Sequence, residues 1–269
     1  MYWLITKVVR MSALADQYYM ECHELFRKLT SQTDLMLNKV RECCESRESA
    51  SILSVGCGTG LFEIPMLAML MDGGKTIPNF VGIDVIETAC SVFKRKLDAE
   101  FNFRLKYEVI NQSFQEFSSP ARFDLILYNH VFEYLGDNHI EWIYKSFNLL
   151  SENGNILIFS PNRGGINKIY AEMMKEVSGF TPFFSDDIER ILAANSIGFD
   201  SEAIIAQCDI SLLLLADDNP DKIKLLSFLT QIDCRNIAEQ RKKEYFDYYL
   251  NLRDGNESTI PHPATFIVL

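Results

Sequence analysis

Three alternating glycines, Gly56, Gly58 and Gly60, directly follow a short apolar run in the segment SILSVGCGTGLFE, residues 51–63. A glycine inside a regular element costs roughly 0.5–1 kcal/mol relative to alanine, so this cluster indicates a backbone that turns sharply or approaches something closely. The run ILSV before the glycines is typical of a buried strand, and LFEIPMLAMLMD after them is typical of a helix. This order predicts the first unit of a nucleotide-binding α/β domain.

The rest of the chain continues this alternation. Apolar runs bounded by turn residues predict further strands at 79–84, 105–110, 123–130, 154–161, within 200–215 and at 264–269. Helices are predicted twice within 14–44, near 61–71, 93–99 and 140–150, and at 220–232 and 238–252. Another helix is expected to begin at Ser185 as N-cap and to end at Gly198. Alternating strands and helices predict a mainly parallel sheet with right-handed crossovers.

Composition and charge exclude several function classes. The net charge of −11 disfavours nonspecific binding to nucleic acid or to an anionic membrane. No apolar stretch reaches the roughly 18 residues of a membrane helix, and MYWLITKVVRMSALA lacks the basic start of a signal peptide. The seven cysteines show no CxxC and no zinc-type spacing, so we expect reduced thiols, no metal site and a cytoplasmic protein.

The glycine turn VGCGTG narrows the choice of nucleotide. Its strict G-x-G-x-G alternation does not fit the dinucleotide motif GxGxxG, and no Lys-Ser/Thr pair follows Gly60 as in a P-loop. It resembles the E/D-x-G-x-G-x-G turn of S-adenosylmethionine-dependent methyltransferases, with Ser54 where the acidic residue usually stands. Gly56, Gly58 and Gly60 are therefore candidate cofactor contacts, although a purely structural tight turn remains the alternative.

Polar residues follow the second and third predicted strands. Asp84 ends the second strand, where a carboxylate can accept both hydroxyls of a ribose, as in dinucleotide folds. The alternative is a cap for the next helix. Gln112 and Ser113 follow the third strand, where this type of methyltransferase often has an acidic residue near the adenine amine. Either can make that hydrogen bond, or both can simply be polar loop residues.

Asn129 and His130 end the fourth strand, and ligands bind at the carboxyl ends of strands in open α/β sheets. We expect Asn129 to contact the cofactor and His130, with Tyr134, to face the transfer site. A neutral imidazole at His130 can accept a proton from an amine substrate, although a lone histidine is more often structural. Glu133 can pair with an ammonium or merely be solvated in the loop.

Together these motifs resemble a class I S-adenosylmethionine-dependent methyltransferase over about residues 51–161. The resemblance implies a Rossmann-like α/β fold with a seven-stranded, mainly parallel sheet in the order 3-2-1-4-5-7-6. It also implies that the last strand is antiparallel, for which ATFIVL is the candidate, and that S-adenosylmethionine is the cofactor.

The two ends of the chain resemble the histamine N-methyltransferases, in YMECHELFRKLTSQTD and in CDIS, LLSFLT, AEQRKKEYFDYYL and HPATFIVL. This implies a monomer with an N-terminal helical cap segment (1–50), a cofactor-binding core (51–161), and substrate cap helices with the final strands (162–269). Gln32 stands where those enzymes have an acidic residue, His130 where they have glutamine and His262 where they have asparagine. These departures predict a small acceptor other than histamine.

We therefore expect methyl transfer to a nitrogen of a small amine or imidazole-type compound. Methylation of a hydroxyl or carboxylate in a natural-product pathway is the first alternative, and a non-catalytic binding protein with this fold is the second. The sequence shows no basic patch for RNA, and it reads YNHV where a macromolecule-directed enzyme would have an NPPY-like tetrapeptide. Candidate substrate residues, which can instead be core or structural, are Tyr19, Gln32, His130, Tyr134, Tyr170 and His262.

Overall fold

The structure is a computed structural model that describes residues 17–269 except 103, 135–138, 169, 172–182, 217–218, 254 and 256. Its strands are β1 (Ile52–Val55), β2 (Phe80–Asp84), β3 (Tyr107–Asn111), β4 (Phe123–Asn129), β5 (Leu150–Pro161), β6 (Asp200–Asp209) and β7 (Thr259–Val268). Its α-helices are α1 (Gln17–Leu29), α2 (Gln32–Cys43), α3 (Glu63–Asp72), α4 (Glu87–Phe101), α5 (His139–Phe147), α6 (Ser185–Ala194), α7 (Pro220–Thr230) and α8 (Glu239–Asn251).

The strands form one seven-stranded sheet in the order β3-β2-β1-β4-β5-β7-β6. β1 to β5 run parallel, and β7 is antiparallel to β5. Every residue of β1 and β2 is buried, as expected for parallel strands covered by helices on both faces. The predicted fold class and strand order are confirmed.

The register of the parallel strands brings their carboxyl ends to one edge of the sheet. Val55 of β1 pairs with both Ile83 of β2 and Tyr128 of β4. Asp84 of β2 pairs with Asn111 of β3. The residues that follow β1, β2, β3 and β4 therefore lie side by side, at the edge where ligands bind in this class of fold.

The chain divides into two compact units. We call the first the sheet unit, which comprises residues 33–161, 183–204 and 264–269. The second, the helical unit, comprises the described residues of 1–32, 162–182 and 205–263. The sheet unit carries all the predicted cofactor residues together with His130 and Tyr134. The other predicted substrate residues belong to the helical unit: Tyr19, Gln32, Tyr170 and His262.

The helical unit has its own core, in which α1 packs against α7. α1 buries Tyr19, Cys22 and Phe26, a spacing that places them on one face of the helix. The Phe26 ring lies 4.4 Å from that of Phe228 in α7, and both belong to this core. The apolar periodicity of the first predicted helix thus reflects packing within this unit.

The prediction for the boundaries of α6 was wrong. Phe184 is the N-cap, and its N–H donates to the Asp187 carboxylate at 3.0 Å, so Ser185 is the first helical residue instead. The Ser185 hydroxyl accepts a hydrogen bond from Thr265. The helix ends at Ala194, because Ser196 already has a left-handed φ of 56°, and Gly198 lies beyond it.

The structure also bears on the cysteines, on membrane-spanning helices and on metal ligands. All seven cysteines are free thiols, and Cys43 is the one that is only half-buried. No helix among the described residues is long and apolar enough to cross a membrane. In the same part of the chain, no group of three or more His, Cys, Asp or Glu side chains is arranged to hold a metal ion.

Candidate active site

The glycine turn after β1 contains three left-handed glycines, with φ of 68° at Gly56, 52° at Gly58 and 75° at Gly60. A Cβ on Gly56 would lie 2.6 Å from Cγ2 of Val131, and one on Gly60 would overlap the ring of Phe93. The first and last glycines are therefore required by the fold itself. The same close packing brings the loop after β4 against the turn.

Asp84 is only 6% exposed and anchors the glycine turn. Its Oδ2 accepts the N–H of Gly58 and its Oδ1 accepts the N–H of Ile86, both at 2.9 Å. Burial raises the pKa of Asp84, and these N–H donors oppose that rise. The N-cap of α4 is Ile86, so Asp84 is not the cap itself. Each carboxylate oxygen can accept two hydrogen bonds, so the carboxylate retains acceptor capacity beyond these two bonds for a ribose hydroxyl.

A buried carboxyl that sequence reasoning missed lies behind the turn. The Ser54 hydroxyl donates to Oε1 of Glu63 at 2.8 Å, and Glu63 is 2% exposed. Ser54 stands where the acidic residue usually is, and a carboxyl from the first turn of α3 thus lies next to it. The available signal was an acidic residue three positions after Gly60, at the start of the helix.

The loop after β3 is held to the end of β2. The N–H of Gln112 donates to the backbone oxygen of Asp84 at 3.0 Å, and the Asn111 side chain donates to the same oxygen at 3.1 Å. The Ser113 hydroxyl donates to the Glu116 carboxylate and accepts the Glu116 N–H, so it closes a local turn. Gln112 is therefore the better placed of the two for a contact with an adenine.

The end of β4 combines a strained backbone with a buried, unsatisfied polar atom. Oδ1 of Asn129 is buried without a hydrogen-bond partner. His130 has φ of 53°, and its N–H donates to the oxygen of Phe159 at 2.9 Å. A left-handed conformation costs a non-glycine residue about 1–2 kcal/mol and is concentrated at functional sites. Tyr134, three residues after Val131, is 46% exposed.

Glu133 lies in a short 3-10 helix, Phe132–Tyr134, and is buried at 6% exposure. Its Oε1 is 3.8 Å from Nδ1 of His130, and its Oε2 is buried without a hydrogen-bond partner. Burial raises the pKa of Glu133 to about 8. The alternative of a carboxylate solvated in the loop is therefore wrong, because the surrounding structure excludes water from this group.

In the helical unit the structure brings Gln32 and His262 together. Nε2 of Gln32 donates to the backbone oxygen of His262 and lies 3.3 Å from Nε2 of the same residue. The Thr30 hydroxyl is 2.6 Å from the other ring nitrogen, Nδ1. Thr30, Gln32 and His262 are all buried, and Phe26 packs edge-on against the imidazole. Both ring nitrogens of His262 are thus engaged within the unit.

The predicted tyrosines of the helical unit differ in environment. Tyr19 is 7% exposed, and its ring packs against those of His23 and Phe228 at 6.0 and 5.8 Å. This is the core-packing alternative for Tyr19. Tyr170 is half-buried and therefore retains an accessible face.

Sequence comparison identifies the class of protein. The methyltransferase domain family matches residues 22–200, which is more than half of the chain. The chain therefore belongs to the methyltransferase domain family. None of the curated protein sequences matches it.

Several solved structures share the fold. A protein from Bacillus halodurans C-125 assigned as a methyltransferase superimposes with a TM-score of 0.56 at 13% identity, covering 86% of this chain and 96% of its own. The YcgJ protein from Bacillus subtilis gives 0.53 at 10%, covering 88% and 96%. The plantazolicin methyltransferase BpumL, with a triazolic desmethylPZN analog and SAH, gives 0.52 at 15%, covering 100% and 99%. At these identities the likeness concerns the fold alone.

Proposed function

We propose that this chain transfers the methyl group of S-adenosylmethionine to a nitrogen of a small amine or imidazole-type compound. The donor is S-adenosylmethionine, as the sequence predicted and as membership of the methyltransferase family bears out. The proposed enzyme is a cytoplasmic monomer that acts on a small molecule. Its net charge of −11 disfavours nucleic acid and anionic membranes as partners.

The described residues fit the cofactor at the carboxyl edge of the sheet. Asp84 accepts the N–H groups of Gly58 and Ile86, and its remaining acceptor capacity suits a ribose hydroxyl. Val85, the next residue, is 64% exposed although apolar, and an adenine face would cover it. Gln112 would bind the adenine amine. The buried Oδ1 of Asn129 lacks a partner, and a donor group of the cofactor would supply one.

The observation that carries the choice of a nitrogen acceptor is the placement of His130 beside the buried carboxyl of Glu133. A nitrogen that attacks a methyl group must have a free lone pair and must release a proton before or after the transfer. An imidazole backed by a carboxyl suits that task. A carboxylate acceptor has no proton to release and would not need this pair.

The chemistry required of the protein is modest. The bound cofactor supplies a methyl group on a positively charged sulfur, which makes it a good electrophile. The chain aligns the acceptor lone pair with that carbon, and alignment provides most of the rate enhancement. His130 accepts the acceptor's proton at its imidazole, and its side chain is 26% exposed. The loop that carries His130 also packs on Gly56, so base and cofactor turn are held together.

Methylation of a hydroxyl or carboxylate in a natural-product pathway is the second candidate. It is favoured by Gln32, which offers an amide where the histamine N-methyltransferases have an acidic residue. A glutamine supplies no carboxylate for an ammonium group, and this amide is hydrogen-bonded to His262. The same feature supports an acceptor other than histamine.

The first experiment is isothermal titration of S-adenosylmethionine and S-adenosylhomocysteine into wild type and Asp84→Asn. We expect binding by the wild type and at least tenfold weaker binding by the variant, because an amide accepts at only one of its two positions. Asp124→Asn is the matched control, since Asp124 accepts the Ser51 N–H at 2.8 Å but lies at the start of β4. Failure of the folded wild type to bind either compound would refute the function.

The second experiment identifies the acceptor. Transfer of a labelled methyl group would be measured with panels of imidazoles, small amines, hydroxy compounds and carboxylic acids. Products that carry the label on nitrogen support the proposal, and His130→Gln should lower their rate of formation. Products labelled only on oxygen would establish the second candidate instead.

A further inference from the structure

Glu133 is a buried titratable group of the sheet unit whose carboxyl is not used to hold the fold together. Its carboxyl is buried, yet Oε2 makes no hydrogen bond, and among the described residues Oε1 lies 3.8 Å from Nδ1 of His130. Buried carboxyls that serve a structural purpose are normally hydrogen-bonded, as Glu63 is by the Ser54 hydroxyl. An unsatisfied carboxyl next to an imidazole at the ligand-binding edge therefore calls for a functional explanation.

The surroundings of Glu133 leave His130 as its electrostatic partner. Within the described part of the chain, His130 is the basic group that lies within ion-pair distance of Glu133. His139, from α5, packs nearby, but its ring stacks on Phe132 and its Nε2 lies 2.9 Å from the oxygen of Phe132. On the glycine-turn side the acidic groups are Glu63 and Asp84, which are hydrogen-bonded to other donors.

We propose that Glu133 is the positioning residue of His130: it orients the imidazole through Nδ1 and takes up the proton that the ring receives from the acceptor. This inference rests on the proposed function and adds a second residue to its proton path. Burial raises the pKa of Glu133 to about 8, so its ionised form is basic enough to take a proton from an imidazole, and this path opens as pH rises toward that value.

The step balances in atoms and charge. The acceptor's lone pair forms the new N–C bond, and the C–S bond breaks with its electron pair left on sulfur, which becomes neutral. The nitrogen then passes a proton to Nε2 of His130, and the proton on Nδ1 moves to the Glu133 carboxylate. One positive charge on sulfur and one negative charge on the carboxylate are thus replaced by two neutral groups, so no net charge remains in the buried pocket of Glu133.

The test measures the pKa of His130 directly, by NMR titration of protein labelled at the Cε1 carbons of its four histidines. The His130 signal is assigned from its absence in His130→Gln. The carboxyl beside Nδ1 ionises near pH 8, so we expect the wild-type His130 signal to show a second inflection near that pH, which is absent in Glu133→Gln. Glu63→Gln, which removes another buried carboxyl from the same unit, should leave the His130 titration unchanged.

Identical His130 titration in wild type and folded Glu133→Gln would overturn the inference. If Glu133→Gln does not fold, Glu133→Asp provides the comparison: its withdrawn carboxyl should weaken the second inflection, and an inflection of unchanged size would again refute the pairing. The calorimetric titration separates this result from the proposed function. If the wild type binds S-adenosylmethionine but the two residues are not coupled, only this inference is refuted. If the wild type does not bind it, the proposed function is refuted as well.

Discussion

Substitution of Gly60 by alanine tests whether the glycine turn is required by the fold as well as by the cofactor. Gly60 has φ of 75°, and a Cβ there would overlap the ring of Phe93, which is fully buried. A left-handed alanine costs about 1–2 kcal/mol. Forcing a methyl group into a packed core costs about 1–3 kcal/mol more. We therefore expect Gly60→Ala to lower the free energy of unfolding by about 2–5 kcal/mol.

The chain contains its own control for the conformational part of this cost. Gly74 has φ of 79°, but nothing lies within 4 Å of a Cβ placed on it. Gly74→Ala should therefore cost only about 1–2 kcal/mol. Urea unfolding followed by circular dichroism gives both values. Equal destabilisation by the two substitutions would refute the argument from the Phe93 contact.

A double-mutant cycle isolates the contact itself. Phe93→Leu shortens the side chain that the new methyl group meets, at its own cost of a partly unfilled core. If overlap with the ring is the cause, Gly60→Ala combined with Phe93→Leu should be less destabilised than the sum of the single variants by about 1–3 kcal/mol. Strict additivity would show that the clash is relieved elsewhere at no cost.

The remaining predictions concern buried polar groups. Thr30→Val should destabilise by about 1–3 kcal/mol, because it leaves a buried ring nitrogen unsatisfied, whereas Thr33→Val, at a buried hydroxyl without a partner, should be neutral or stabilising in the same urea assay. Ser54→Asp should cost more than about 2 kcal/mol at pH 7 by placing a second carboxyl against Glu63, and adding Glu63→Gln should recover part of that loss; no recovery would contradict the pairing. The raised pKa of Glu133 means that the folded state binds more protons than the unfolded state between about pH 4.5 and pH 8. Its contribution to stability should therefore decline as pH rises through this window, by up to about 1.4 kcal/mol per pH unit, and stability curves that remain parallel for wild type and Glu133→Gln would contradict this.

Local sequence patterns were sufficient to predict the strands of the sheet, and the family resemblance supplied their order. The strand before Gly56 and the strand ending at Asp84 are continuous apolar runs, and each is bounded by residues that disfavour regular structure. The antiparallel placement of β7 came from the family resemblance, since nothing local distinguishes it. The cap of α6 was misassigned because Asp187 binds the N–H of Phe184 through its side chain, a capping interaction that does not require Ser185 as the N-cap.

The polar interactions of the candidate site were less accessible to sequence reasoning. Glu63 and Glu133 are ordinary acidic residues in the sequence, and their burial depends on side chains from other elements. Gln32 and His262 are 230 positions apart, and only the fold shows that they are hydrogen-bonded. Sequence patterns predict the burial and pairing of such polar groups poorly, because their contribution to stability depends on tertiary neighbours and not on periodicity.

Under the proposed function, substitutions in the loop after β4 should affect the rate of methyl transfer and not the choice of acceptor. Val131 is fixed against Gly56, and Glu133 is buried two residues later, so this loop cannot shift without disturbing the glycine turn. His130 is strained in a left-handed conformation between the end of β4 and Val131. A residue held in this way is well suited to a proton transfer that is common to many acceptors, but poorly suited to adapt to the shape of any one of them. Under the proposed function, acceptor specificity comes from residues outside this loop, and substitutions within it should lower the transfer rate for all acceptors alike.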